Sequence, residues 1–545
     1  MKRNNYIKAL GLSLALAIGI SGCNDDFLDS TPNDRITLEN YFQNNAELQA
    51  ATAPLYSKVW FDFNDKFYYA LGDGRGNNLF APYSDYIYPF TNFTETSLTG
   101  PMVSAWGSFY NIIGQSNNTI NNIRKFAVNV TEEQKNVAIA EARFMRGVAY
   151  WYLASLWGDV ILIEDNAAMV NNPIVPTNPR NDVFEFAIRD LEFAAKYLPE
   201  TVGQSGRLTS WSAYGMLSRV YLSFAGLHGN SDPNSGTRSA EYLELAKKAA
   251  LKVAEESGLE LNEDYAALFT LEGNHDPEHL FTLNWVGGST EYGITNTQQA
   301  YFAWNSEITG DDAAWGYYTY ASWDVIRTYE AADQERLHAT FATNGAFYPE
   351  LRKEDGGYTY EETDRCNVKK GVVGSSKDND GIVQRMNSGA TTKMLRLAEV
   401  YLNLAEAILG NSASTSDAVA LEYFNKVRTR AGMSTKSEIS YSDLHYERRV
   451  ELAMEGQYWY DLVRRSYYKQ QEVINYLNNQ ERAVQYEYEN GQYVAGDANT
   501  AQQVATATES MLLLPYPEGE LVQNPLLRQD PVPYVFNEER INLFE

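Results

Sequence analysis

The sequence is short of cysteine, of histidine and of positive charge. It has only 2 Cys in 545 residues, Cys23 and Cys366, so no disulfide framework can staple the fold. Lys and Arg total 44 against 71 Asp and Glu, a formal net charge of -27. Such a body repels phosphate backbones and disfavours nucleic acid as a partner. Past the first twenty residues there is no second apolar run long enough to cross a bilayer. Hydrophobic residues make up 44%, enough to bury a large core, which speaks against wholesale disorder.

The N-terminus has the order of a bacterial lipobox. Lys2, Arg3 and Lys8 precede an apolar run from Ala9 to Ile20, and Ser21-Gly22 lead into Cys23. The run is too short for a stable membrane span and has the layout of a secretory signal. Residues 1–22 are therefore expected to be a lipoprotein signal peptide, with Cys23 the lipidated first residue of the mature chain. Several acyl chains, each buried methylene contributing about 0.8 kcal/mol, would anchor it stably. Asn24-Asp25-Asp26 resembles an acidic tag for export to the cell surface. Residues 23–38 read as a tether.

Helical periodicity dominates the rest of the chain. Helices are expected over Leu38–Trp60, Trp106–Phe126, Thr131–Trp157, Asn181–Leu198, Thr209–Leu227 and Ala240–Glu256. Thr131-Glu132-Glu133-Gln134 is a capping-box pattern, and Gly158 a stop. Consecutive helices with short joins suggest helical hairpins, and several lengths lie near the roughly 34-residue period of tetratricopeptide repeats. Further helices are expected over Lys393–Leu409, Ser416–Ala431 and Tyr446–Arg465. Leu280–Trp285 reads as a strand, and Gly491–Ser510 as loop. Two stretches, 61–101 and 284–320, break the helical pattern with Gly, Pro and many aromatics. Structureless lengths of that order are uncommon unless functional.

The order of words along the chain is similar to that of the SusD/RagB lipoproteins. They include Glu141-Ala142-Arg143-Phe144-Met145-Arg146-Gly147, Met394-Leu395-Arg396-Leu397-Ala398-Glu399 and Val427-Arg428-Thr429-Arg430-Ala431-Gly432. Glu447-Arg448-Arg449-Val450-Glu451-Leu452-Ala453-Met454-Glu455-Gly456 and Pro515-Tyr516-Pro517-Glu518 continue the series. The resemblance implies a mostly α, SusD-like fold of tetratricopeptide-like helix pairs with a loop-rich portion and short strands. It implies an N-terminal region over 39–260 and a C-terminal region over 261–545, packed as one unit. It further implies a non-catalytic, cell-surface oligosaccharide binder, lipid-anchored in the outer membrane, that serves a SusC-like TonB-dependent barrel transporter. Peptide binding within the same family, or a surface glycoside hydrolase, are the alternatives.

The two aromatic loop regions supply the candidate site. The Gly-rich run 71–78 places Asp73, Arg75 and Asn77 where short polar side chains could meet sugar hydroxyls. Tyr83, Tyr292, Trp304, Trp315 and Tyr318 are the candidate rings to stack on a sugar's apolar face. The glycine run lacks the Lys-Ser/Thr ending of a phosphate loop. His275-Asp276-Pro277-Glu278-His279 spells a zinc-protease word, but Pro277 inside it and the strand-like residues after it argue for a loop and against a metal helix. The other histidines, His228, His338 and His445, are isolated. Asp378-Asn379-Asp380-Gly381 resembles part of a calcium loop without its later Glu, so a structural calcium ion has weak support and no cofactor is expected. A carboxylate pair for glycoside hydrolysis can always be found among 71 acidic residues and singles out nothing.

Overall fold

The computed structural model describes residues 37–289, 291–498 and 504–545. Cys23, the acidic tag and most of the expected tether lie outside the described residues. The body is built mainly of helices: α1 Asn45–Thr52, α2 Gly100–Phe126, α3 Glu132–Leu156, α4 Arg180–Tyr197 and α5 Ser210–Ala225. They continue as α6 Ala240–Glu256, α7 Leu397–Leu409, α8 Ala418–Arg430, α9 Tyr441–Glu451 and α10 Tyr458–Asn479. From α2 to α8 each helix packs on the next. Thr131 and Thr209 cap α3 and α5 with reciprocal capping boxes, satisfying backbone donors that a helix start leaves free.

The strands are short. They are β1 Leu79–Phe80, β2 His279–Leu283, β3 Tyr320–Ala321, β4 Thr392–Arg396, β5 Val484–Glu489 and β6 Gln492–Ala498. Antiparallel pairs form between β1 and β3, β2 and β4, and β5 and β6. One apolar core runs from Phe42 through to the C-terminal segment. At its centre Trp60, Phe63, Phe109 and Tyr152 meet edge-on, tilted and stacked, arrangements that suit ring quadrupoles.

Charged side chains are also sealed between the helices. Arg219 holds Glu399 at 2.5 Å, Arg448 holds Asp461 at 2.8 Å, and Arg146 holds Asp190 at 2.7 Å, all buried. Arg396 and Glu399 do not pair with each other. Arg396 instead reaches Glu278, Glu451 and Glu455 at 2.5, 3.0 and 2.7 Å.

Three expectations from local pattern are corrected. Lys393–Arg396 is strand, not the start of a helix: Arg396 lies opposite His279, Leu395 opposite Phe281 and Lys393 opposite Thr282. All five β4 residues are buried, so partners on both faces decide the conformation over helical spacing. The expected helix over Tyr446–Arg465 is broken between α9 and α10. There Met454 and Gly456 adopt φ of 64° and 66°, and the backbone of Gly72 comes so close that a Cβ on it would lie 2.4 Å from Gly456 Cα. Part of the expected loop over Gly491–Ser510 is strand β6, paired with β5 in a hairpin.

Candidate functional site

The glycine run owes its composition to packing. The stretch Ala70–Arg75 is a wide helical turn, buried throughout, and Gly72 lets it touch the turn between α9 and α10. Asp73 is fully buried and accepts the N–H groups of Met454 and Gly456, each at 2.8 Å, and Asn78 Nδ2 at 3.0 Å. Burial pushes its carboxyl up to about 6. Arg75 pairs with Glu95 at 2.6 Å and lies between the rings of Phe93 and Trp459. Asn77 is buried, and its carbonyl accepts from Ser322 Oγ at 2.6 Å. The sequence pattern points these three residues at a ligand. The structure places them in the interior instead, where they fasten the N-terminal loop to the C-terminal helices. Trp304 is corrected likewise: it is 2% exposed, packs edge-on against Tyr360 and donates from Nε1 to Tyr358 Oη at 3.1 Å.

The other four rings stay in solvent: Tyr83 is 73% exposed, Tyr292 58%, Tyr318 47% and Trp315 42%. The β1–β3 ladder, with Leu79 opposite Ala321 and Phe80 opposite Tyr320, brings Tyr83 and Tyr318 together. It clamps the first aromatic loop to the second, and just beyond it Tyr83 meets Tyr318 edge-on at 4.8 Å. Tyr318 meets Tyr317 at 4.9 Å, and the Arg365 guanidinium lies 4.0 Å over the Tyr317 ring. Asp364 holds that guanidinium at 2.5 Å.

Trp315 belongs to the same turn and continues the surface. It packs on Tyr301, with centroids 5.4 Å apart, and Tyr301 packs on Tyr86 at 5.3 Å. The Lys66 ammonium lies 5.1 Å from the Tyr301 ring and is paired with Asp65. Asp65 also accepts from Thr297 Oγ1 at 2.6 Å and from Tyr292 Oη at 3.3 Å. Tyr292 stands edge-on to Phe61 at 4.6 Å. Burial and the Asp65 carboxylate push the Tyr292 phenol up to about 12, and burial does the same to Tyr86. At neutral pH both remain hydroxyl donors. The result is a connected aromatic face from Tyr292 to Tyr83, with each cation on it already paired. Flat rings offer stacking area, and the exposed phenols offer hydrogen bonds. Sequence reasoning missed Asp65, Lys66 and Arg365. Asp65 and Lys66 are an ordinary charged pair between phenylalanines, and Arg365 reaches Tyr317 from a distant loop.

The two motif-like histidine and aspartate words have other duties. His279 sits in β2 and not on a helix with His275, and burial pushes its imidazole down to about 2. Between them Glu278 holds Arg396 and Arg430. Asp378 accepts from the N–H and Oγ of Ser375 and from the N–H of Lys353. No helix among the described residues is long and apolar enough to cross a membrane.

Comparison with known proteins places this arrangement. Residues 324–533 match the SusD family, and residues 26–222 match a family described as starch-binding associating with outer membrane. A SusD-like protein of Bacteroides ovatus is 41% identical over 543 residues, covering 96% of this chain and 97% of that one. SusD-like protein P2 of Formosa agariphila is 27% identical over 83% of this chain and 89% of its own length. Among solved structures, one described as a crystal structure with xylogluco-oligosaccharide is 40% identical, with a TM-score of 0.83, over 90% of this chain and 100% of that one. A SusD superfamily protein from Parabacteroides distasonis shares the fold at 20% identity and a TM-score of 0.69, over 89% of this chain and 98% of that one. The chain belongs to the SusD family, with that family's mostly helical fold.

Proposed function

We propose that this protein binds oligosaccharides at the cell surface, without transforming them, and hands them to a TonB-dependent barrel transporter. The observation that carries the reading is the exposed aromatic face of Tyr83, Trp315, Tyr318 and Tyr292. Sugars present apolar C–H faces and hydroxyls, which rings and phenols complement. The relative solved with xylogluco-oligosaccharide supports the same ligand class. The family's described association with the outer membrane supports the lipid anchor expected at Cys23.

A few stacked rings with hydroxyl bonds give affinities of roughly micromolar to millimolar, about -8 to -4 kcal/mol. Such binding lets cargo leave for a transporter. Titration calorimetry of the mature protein against a glycan panel, xylogluco-oligosaccharide included, tests this. Binding is expected with glycans and is expected to be lost in a Trp315→Ala/Tyr318→Ala variant that keeps its melting temperature. Heat with peptides and none with glycans would overturn the glycan reading, and new reducing ends after incubation would overturn the non-catalytic one.

A further inference from the structure

The strand β4 carries a buried cation with no ion-pair partner among the described residues. Lys393 is 7% exposed, and its one hydrogen-bond acceptor among the described residues is the Thr391 carbonyl at 3.1 Å. An ammonium has three donors to place. Lys393 forms no ion pair among the described residues, although Arg396, three positions on, engages three glutamates. Lys393 lines a small cavity of about 30 Å3 together with Lys370, Phe269, Gln298, Met454 and Glu455.

The neighbouring charges are already committed. Lys370 Nζ donates to Tyr265 Oη at 2.8 Å, to the Ala453 carbonyl at 2.8 Å and to Glu455 Oε1 at 3.0 Å. Both oxygens of Glu455 are also taken by Arg396, each at 2.7 Å. His279, on the paired strand, is held neutral by burial. What remains beside the cavity is one ammonium with unused donors. Burial, together with the Arg396 and Lys370 cations, pulls that ammonium down to about 7 against the opposing influence of Glu455. The site therefore tolerates its charge poorly without a partner.

We propose that this cavity binds one small monovalent anion, chloride in ordinary media, as a structural constituent of the fold. The space exceeds the roughly 10–15 Å3 that one water requires. A water would accept from Lys393 and leave the charge standing. A halide accepts the same donors and cancels the charge. The Phe269 ring lies 4.1 Å from Lys370 Nζ and 6.0 Å from Lys393 Nζ, so Lys393 has a ring contact but no anion. The proposal stands apart from the oligosaccharide reading, and either can fail alone.

The test uses the mature protein at fixed pH and ionic strength. Thermal unfolding is followed as sodium gluconate is replaced by sodium chloride or bromide. The midpoint is expected to rise by about 2 °C once the halide is well above its dissociation constant. Crystals grown in bromide should show an anomalous peak within hydrogen-bond distance of Lys393 Nζ. In Lys393→Met the halide dependence should vanish. If that variant does not fold, the bromide map of the unaltered protein decides. Coincident midpoints in gluconate and chloride, or a cavity holding only water in the bromide crystals, would overturn the proposal in favour of a neutral amine.

Discussion

Tyr83 and Tyr318 meet edge-on with ring centroids 4.8 Å apart, although one comes from the loop after β1 and the other from the turn before β3. The contact joins two aromatic loops into one exposed face. An edge-to-face pair contributes about 0.5–1.5 kcal/mol beyond its buried area, so the two rings orient each other. Tyr83→Ala should therefore weaken glycan binding about three- to tenfold, both by removing a ring and by freeing Tyr318. Tyr83→Phe should lose less than half of that effect. Calorimetry on both variants separates ring from hydroxyl.

Gly316 is the hinge pin of that face. A Cβ there would sit 2.1 Å from the Phe302 carbonyl oxygen, too close for any side chain. Gly316→Ala is expected to push the turn carrying Trp315, Tyr317 and Tyr318 outward. Glycan affinity should fall at least tenfold, while far-UV circular dichroism stays unchanged. Unaltered affinity would show that these rings do not hold the ligand.

Trp304 and Asp73 should behave in the opposite way. Trp304→Ala opens a large cavity and is expected to cost about 3–5 kcal/mol of stability. Asp73→Ala strands the N–H groups of Met454 and Gly456 and should cost about 2–4 kcal/mol. Asp73→Asn should recover part of this, since an amide has one accepting oxygen for three waiting donors. Denaturant unfolding measures the losses. Glycan affinity of the folded fraction should stay within about twofold of the unaltered protein.

Acid should unfold the body through its buried carboxylates. Burial alone would raise the Glu406 carboxyl, but Arg464 and Arg238 beside it outweigh that and hold it at about 2. Glu451 is held at about 2 in the same way by Arg430, Arg396 and Arg336. A carboxyl depressed in the folded state contributes stability that is complete above its unfolded value near 4.5 and is lost as pH falls towards 2. The melting temperature should therefore drop steeply between about pH 4.5 and 2. Glu406→Gln should soften that drop while lowering stability at pH 7 by about 3–5 kcal/mol, because Arg464 and Arg238 lose their anion.

The anchor is tested in the cell. Cys23→Ala should release the protein from the envelope fraction without changing its glycan affinity, read by fractionation and calorimetry. Retention in the membrane would show that something other than an acyl chain holds it.

The helical body was legible in the sequence because its signals are local. The capping box at Thr131, glycine stops and apolar spacing act within one or two turns, and α3 to α6 fall where they point. The family words were legible too, as they record side chains that lock helices together. Solvent exposure was not, because it depends on what arrives from elsewhere in the chain. Asp73, Arg75 and Trp304 sit in stretches that read like binding loops, yet the α9–α10 turn, Trp459 and Tyr360 cover them. Tyr83 and Trp315 read the same way and stay in water. By itself the sequence determined that there would be a helical scaffold and two aromatic loops. Only the tertiary structure decided which rings face solvent, because a ring's environment is set by neighbours hundreds of residues away, and no local pattern encodes them.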